Sequence, residues 1–91
     1  MSESEHDALT RASEVVVSFT PADDRTGAAL DAPSYRRYLT RAHDGAVAVG
    51  DEWEEFVNCG CGTTRDVTLR VESTDGDYVD AETTFVFEPR E

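Results

Sequence analysis

Asp66-Val67-Thr68-Leu69-Arg70-Val71-Glu72-Ser73 alternates strictly between apolar and polar side chains. With a side-chain period of two, Val67, Leu69 and Val71 share one face of an extended segment and Thr68, Arg70 and Glu72 the other. That is the pattern of a strand with one face on a core. Downstream, Thr74-Asp75-Gly76-Asp77 is a turn signal, with Asp-Gly the pair that suits a tight hairpin. Tyr78 to Phe87 is therefore expected to return as the partner strand, with Phe85 and Phe87 facing one way and Thr84 and Val86 the other. Pro89 ends it.

Upstream of this strand lies the glycine-rich stretch Asn58-Cys59-Gly60-Cys61-Gly62-Thr63-Thr64, which holds both cysteines of the chain. It is approached by Asp51 to Val57, where Trp53, Phe56 and Val57 fit helical spacing but Trp53, Glu55 and Val57 would share a strand face. An extended segment is favoured, because Gly50 breaks what precedes it and so short an isolated helix is marginal. Trp53 is the largest apolar group and reads as a core or core-edge anchor. Ala46 to Gly50 is a short strand or an extended approach.

Further back is an amphipathic helix, with Asp31 placed to cap it, Pro33 in its first turn and Gly45 just beyond its end. Tyr35, Tyr38, Leu39 and Ala42 fall in one arc, and Arg36, Arg37, Thr40 and Arg41 fall opposite. Glu14 to Thr20 is β-branched and aromatic and reads as a strand, with Val15, Val17 and Phe19 on the core, Ser18 and Thr20 outward, and Val16 partly covered. Pro21 to Gly27 has turn and loop chemistry. Residues 1–13 are expected to be a disordered acidic tail, because their few apolar side chains stand isolated among charges. The sum is a single α+β domain over residues 14–88: a small antiparallel sheet of three to four strands with one amphipathic helix packed on one face.

At 91 residues the chain has room for one domain near the lower size limit for a sufficient core, so a deep enclosed cleft is not expected. Aspartate and glutamate number 20, the eight basic residues are all arginine, and the formal net charge is −12. Such a surface repels itself at low ionic strength, whereas molar salt shortens the screening length to roughly 3 Å. The composition therefore predicts a protein adapted to a halophilic solvent, with arginine-favouring codons contributing. It also argues against nucleic acid as a partner: Arg36, Arg37 and Arg41 make a local basic spot, but a phosphate backbone would meet the whole charge of −12. No apolar run reaches the 18 or so residues of a membrane span, and the acidic N-terminus lacks the features of a secretory signal, so the cytoplasm and no membrane are expected.

Cys59-Gly60-Cys61 admits three chemistries. Both thiols pack as small apolar groups while the glycines turn the chain, which is the reading the residues favour. Alternatively they ligate zinc, with His43 at the helix end as the nearest further ligand and His6 in the tail, or with four thiolates assembled in a two-fold dimer. In the third, the pair is a strained, easily reduced dithiol, although no lysine is present to lower a thiol pKa. No phosphate-binding loop, Gly-x-Ser-x-Gly elbow or His-Glu-x-x-His motif occurs, and Glu54 and Glu55 are assigned to solvent.

The acidic, lysine-free style, with Gly50-Asp51-Glu52-Trp53-Glu54-Glu55-Phe56 leading into Asn58-Cys59-Gly60-Cys61-Gly62, resembles small uncharacterised proteins of haloarchaea. The resemblance spans residues 14–88 and implies a halophilic setting but no activity. Together these features predict a non-enzymatic accessory domain that binds another protein, as monomer or homodimer. Its candidate surfaces are a sheet edge and the helix face of Arg36, Arg37 and Arg41. The alternative is a zinc or thiol-redox protein built on Cys59, Cys61 and His43; outside the zinc reading no cofactor is expected.

Overall fold

The computed structural model describes residues 10–58 and 64–90. Four strands form the main sheet in the order β3-β4-β1-β6, where β1 is Glu14–Thr20, β3 Glu52–Asn58, β4 Thr64–Thr74 and β6 Thr84–Pro89. A small second ribbon pairs β2 (Gly45–Ala46) with β5 (Tyr78–Val79). Two helices, α1 (Asp24–Asp31) and α2 (Pro33–Ala42), follow β1. The architecture is α+β as expected, with a four-stranded sheet and its helices on one face.

Sheet register follows from alternation. Val17 lies opposite Val71 and Phe19 opposite Leu69 in the antiparallel β1–β4 ladder, and Trp53 opposite Leu69 and Glu55 opposite Val67 in the β3–β4 ladder. Val15, Val17, Val57, Val67, Leu69, Val71 and Phe85 thereby reach one face, where Leu30 of α1 and Leu39 of α2 close the core; all are at most 2 % exposed. Full burial of each such side chain contributes about 1.5–3 kcal/mol, so this face supplies most of the driving force for folding. On the opposite face Ser18 is buried rather than turned to solvent, because β1 is a central strand, and its hydroxyl donates to Glu72 at 2.6 Å.

The return strand expected after Gly76 does not form. Tyr78–Val79 pairs instead with Gly45–Ala46, and a turn closed by Asp80 and Thr83 redirects the chain: Asp80 Oδ1 accepts from Glu82 N, Thr83 N donates to Asp80 O, and Asp80 N donates to Thr83 Oγ1. β6 then lies beside β1 in parallel register, Val15 opposite Phe85 and Val17 opposite Phe87. The sheet is mixed for this reason, with β1 between β4 and β6.

The position expected for the return strand, beside β4, is taken by β1, and residues assigned to the tail dock on the redirected chain at Tyr78. Arg11 bridges Tyr78, Ala12 N donates to Tyr78 O at 2.7 Å, and Ala12 is fully buried. Asp75 Oδ1 accepts from the backbone of Ser13 and Glu14, Asp77 Oδ2 from Thr10 N, and Thr83 Oγ1 donates to Ala12 O at 2.7 Å. The domain therefore includes Thr10 to Ser13, and tail chemistry does not describe them. Close approach of this arm requires Gly76: a Cβ there would stand 2.5 Å from Ala12 N.

Residues 24–31, expected to lie in or just after a loop, form α1. Asp23 caps it, its Oδ1 accepting from Thr26 N at 2.8 Å, and Thr26 and Leu30 are buried one turn apart. Asp31 consequently ends α1 instead of capping α2; Ala32 occupies that cap without a side-chain bond, and Pro33 starts α2. In α2 the expected apolar arc is narrower than its spacing suggested. Leu39 is buried, Tyr35 half-buried, Tyr38 and Ala42 exposed, and Thr40 is buried, with its hydroxyl on Arg37 O.

Candidate functional site

The two edges of the sheet are protected very differently. At β6, Arg36 reaches from α2 across the ring of Phe87, 5.4 Å from its centroid, and donates through Nη1 to Phe85 O at 2.6 Å. Asp31 holds that guanidinium in place at 2.6 Å. Pro89, which has no N–H, terminates the strand. This edge is blunted by a side chain and a proline. At β3, which is one residue longer and has no proline, no strand lies beyond the ladder to β4 among the described residues.

β3 presents chemically distinct faces. Trp53, Glu55 and Val57 point towards the helices, as the alternation predicts, while Glu52, Glu54 and Phe56 point to the other side. Phe56 is 64 % exposed, opposite Asp66 in the ladder. Among the described residues no cation lies within ion-pairing distance of Glu52, Glu54 or Asp66. Arg70, opposite Glu52, gives its Nε to Glu72 at 3.0 Å instead.

Glu55, assigned to solvent from sequence, is drawn into the interlayer space. Its side chain is 11 % exposed, with Oε1 accepting from Tyr38 OH and Oε2 facing His43 Nε2, both at 2.7 Å. A carboxylate on an apolar face needs such partners to offset its desolvation. The available clue was its position between Trp53 and Val57 on one strand face. His43 stacks on Trp53, and Trp53 meets Phe85 edge-on at 6.0 Å. Tyr35 stands 5.3 Å from Tyr38, and burial, then the charge of Glu55, holds its phenol well above the usual range. The phenol of Tyr38 is also pushed up, first by its hydrogen bond to Glu55. Tyr38 is nonetheless 46 % exposed, so the β3 edge has a solvent-facing aromatic ring on each side, Tyr38 in the helical layer and Phe56 on the outer face.

The sequence-derived site residues separate. Arg36 is committed to Asp31, Phe85 and Phe87, whereas Arg37 and Arg41 are exposed. His43 is engaged by Glu55 and Trp53. Cys59 and Cys61 lie outside the described residues, as does His6. Trp53 and Asn58 are five residues apart in one strand, roughly 17 Å at the usual rise, so His43 sits well back from the end of β3 that leads to the cysteines. Among the described residues no three His, Cys, Asp or Glu side chains converge as a metal site, and no helix is long and apolar enough to cross a membrane.

These features define a small two-layer α+β domain with one blunted and one open sheet edge. Residues 6–91 match the Family of unknown function (DUF7968), and the chain belongs to that family. Among solved structures it is similar to the Solution Structure of the N-terminal Domain of PH1500, with a TM-score of 0.60 at 13 % identity over 91 % of this chain and 97 % of that one, a likeness of fold alone. No curated protein matches it.

Proposed function

We propose that this domain is a protein-interaction module that takes up an extended segment of its partner as an additional strand along β3. The observation that carries this reading is the contrast between edges: Arg36 and Pro89 close β6, while β3 offers its outer edge between Tyr38 and Phe56. Strand addition derives affinity from backbone hydrogen bonds and selectivity from flanking side chains. An open edge is otherwise an aggregation liability, which Glu52 and Glu54 restrain. The lysine-free surface of net charge −12 supports an accessory role in a high-salt, halophilic cytoplasm.

A photo-crosslinking residue placed at Phe56, at Val86 near the opposite edge, or at Arg41 on the helix tests the reading in cells. Partner adducts should form from position 56 and not from 86 or 41. Adducts concentrated at position 41 would transfer the interaction to the arginine face of α2.

A further inference from the structure

We infer that the segment accepted by β3 is a basic one, carrying an apolar residue against Phe56 and, at the second and fourth positions beyond it, arginine or lysine against Glu54 and Glu52. This rests on the strand-addition reading and adds the chemistry of the occupant. Glu52, Glu54 and Phe56 occupy alternate positions of one strand, so they project from one face at a spacing of roughly 7 Å. A strand paired alongside presents its own alternate residues at the same spacing, and directly opposed side chains set the energetics of pairing.

Among the described residues the acidic side chains have no competing cation: Arg70 is turned to Glu72, Arg65 pairs with Asp23 at 2.7 Å, and Arg36 is held on the far edge. Asp66, opposite Phe56, adds a third carboxylate beside the exposed ring, without an ion pair among the described residues. An arginine suits this place twice over, since its stem covers apolar surface while its guanidinium stays at the carboxylates. Tyr38 and the Tyr38–Glu55 hydrogen bond bound the other side, where the segment's intervening residues would lie. A second copy of this chain is the poorer occupant, because self-pairing brings acidic strands together on two molecules of net charge −12.

The test uses the full chain, isotope-labelled, and three short synthetic peptides with threonine flanks and the cores valine-threonine-arginine-threonine-arginine, valine-threonine-glutamine-threonine-glutamine and valine-threonine-glutamate-threonine-glutamate. A reversed-order arginine peptide distinguishes parallel from antiparallel entry, and an arginine peptide N-methylated on alternate amides blocks strand pairing. The arginine peptide, in one of its two orders, should shift the amides of Trp53 to Val57 and bind about tenfold more tightly than the glutamine peptide at low salt. Glu52→Gln and Glu54→Gln should each weaken it by roughly two- to fivefold, the range of an exposed ion pair, and N-methylation by about tenfold or more. Equal binding of arginine and glutamine peptides, with loss on N-methylation, would overturn the basic preference and leave strand addition standing. Arginine binding that survives N-methylation, or shifts confined to α2, would overturn strand addition and this inference together. Sedimentation showing a dimer that Phe56→Asp dissociates would make a second copy the occupant and overturn the inference.

Discussion

The imidazole of His43 lies flat against the indole of Trp53, ring centroids 3.9 Å apart and planes within 9°, while its Nε2 stands 2.7 Å from Glu55. The residue just beyond α2 is thereby fastened to β3 by stacking and by a charged acceptor. His43→Ala should cost about 1–2 kcal/mol in denaturant unfolding, the sum of a modest ring contact and one hydrogen bond. Glu55→Ala should cost about as much, because it leaves both Tyr38 and His43 without their acceptor. Glu55→Gln, which keeps an oxygen for Tyr38, should cost less. Equal loss in the Gln and Ala variants would mean that the oxygens do not organise this contact.

Stability should fall on both sides of neutrality. Asp23 is held below the usual carboxylate range first by the Thr26 backbone amide, and Glu72 first by the Ser18 hydroxyl. Groups with lowered folded-state pKa stabilise above their unfolded value, about 4, and that contribution disappears as pH drops through the folded value. Tyr35 and Tyr38 are raised, so their contribution is complete below about pH 10 and is lost as pH climbs further. Melting temperatures across pH should show both limbs. Asp23→Ser, which keeps a cap that does not titrate, should flatten the acid limb, and Tyr35→Phe the alkaline one. Tyr35→Phe should carry little other penalty, since the Tyr35 hydroxyl is buried with no hydrogen-bond partner among the described residues.

The arm before β1 makes its own prediction. Gly76→Ala places a methyl group against Ala12 backbone and should destabilise by about 1–3 kcal/mol, as overpacking does. Removing the chain through Ser13 should destabilise at least comparably, because it takes away the contacts of Thr10 to Ser13 with Asp75, Asp77, Tyr78 and Thr83. A Gly76→Ala protein with the parental denaturation midpoint would show that the arm does not hold this position in solution.

Salt acts through the surface. With a net charge of −12, raising sodium chloride from about 0.1 M towards multimolar concentration should increase the melting temperature steadily. A charge-reversing pair such as Glu52→Lys with Glu54→Lys should make the increase shallower. A melting point independent of salt would remove the halophilic reading.

Chelator treatment and Cys59→Ala with Cys61→Ala bear on the zinc and redox alternatives. Because Glu55 and Trp53 already engage His43, neither treatment should change Trp53 emission or affinity at β3. Recovery of about one zinc per chain or per two chains from protein purified without added metal, lost in the double variant, would make the cysteine pair a metal site.

Legibility in the sequence tracked the range of the interactions. β4 was readable because Val67, Leu69 and Val71 alternate without interruption, and β3 as an extended segment because Gly50 breaks what precedes it and so short a helix is marginal, although Glu55 and Phe56 blur its alternation. α1 was not, since only Thr26 and Leu30 are buried and Gly27 sits between them, too little for a helical period to emerge. The fate of Tyr78 to Phe87 was misread because Asp75-Gly76 is a local hairpin signal, while the partners that form lie far off in sequence: β2 for Tyr78–Val79, and β1, about seventy residues earlier, for Thr84–Pro89. At the edges, the composition of β3 was visible but its openness was not. The contrast with β6 depends on Arg36, expected on a partner-binding helix face, whose Nη1 instead donates to Phe85 O of β6 while Nε and Nη2 go to Asp31.

The central place of β1 also sets an order of events during folding. Val15 is laid down before both of its ladder neighbours, Thr74 and Phe85, so the strand at the middle of the sheet remains without either flank until most of the remaining chain has been synthesised. Pairing across such sequence distances has a high contact order, which slows the search for the native ladder. During that interval the nascent Val15-Val16-Val17 run is an uncovered hydrophobic strand, and it is the segment most exposed to wrong pairing before the sheet closes.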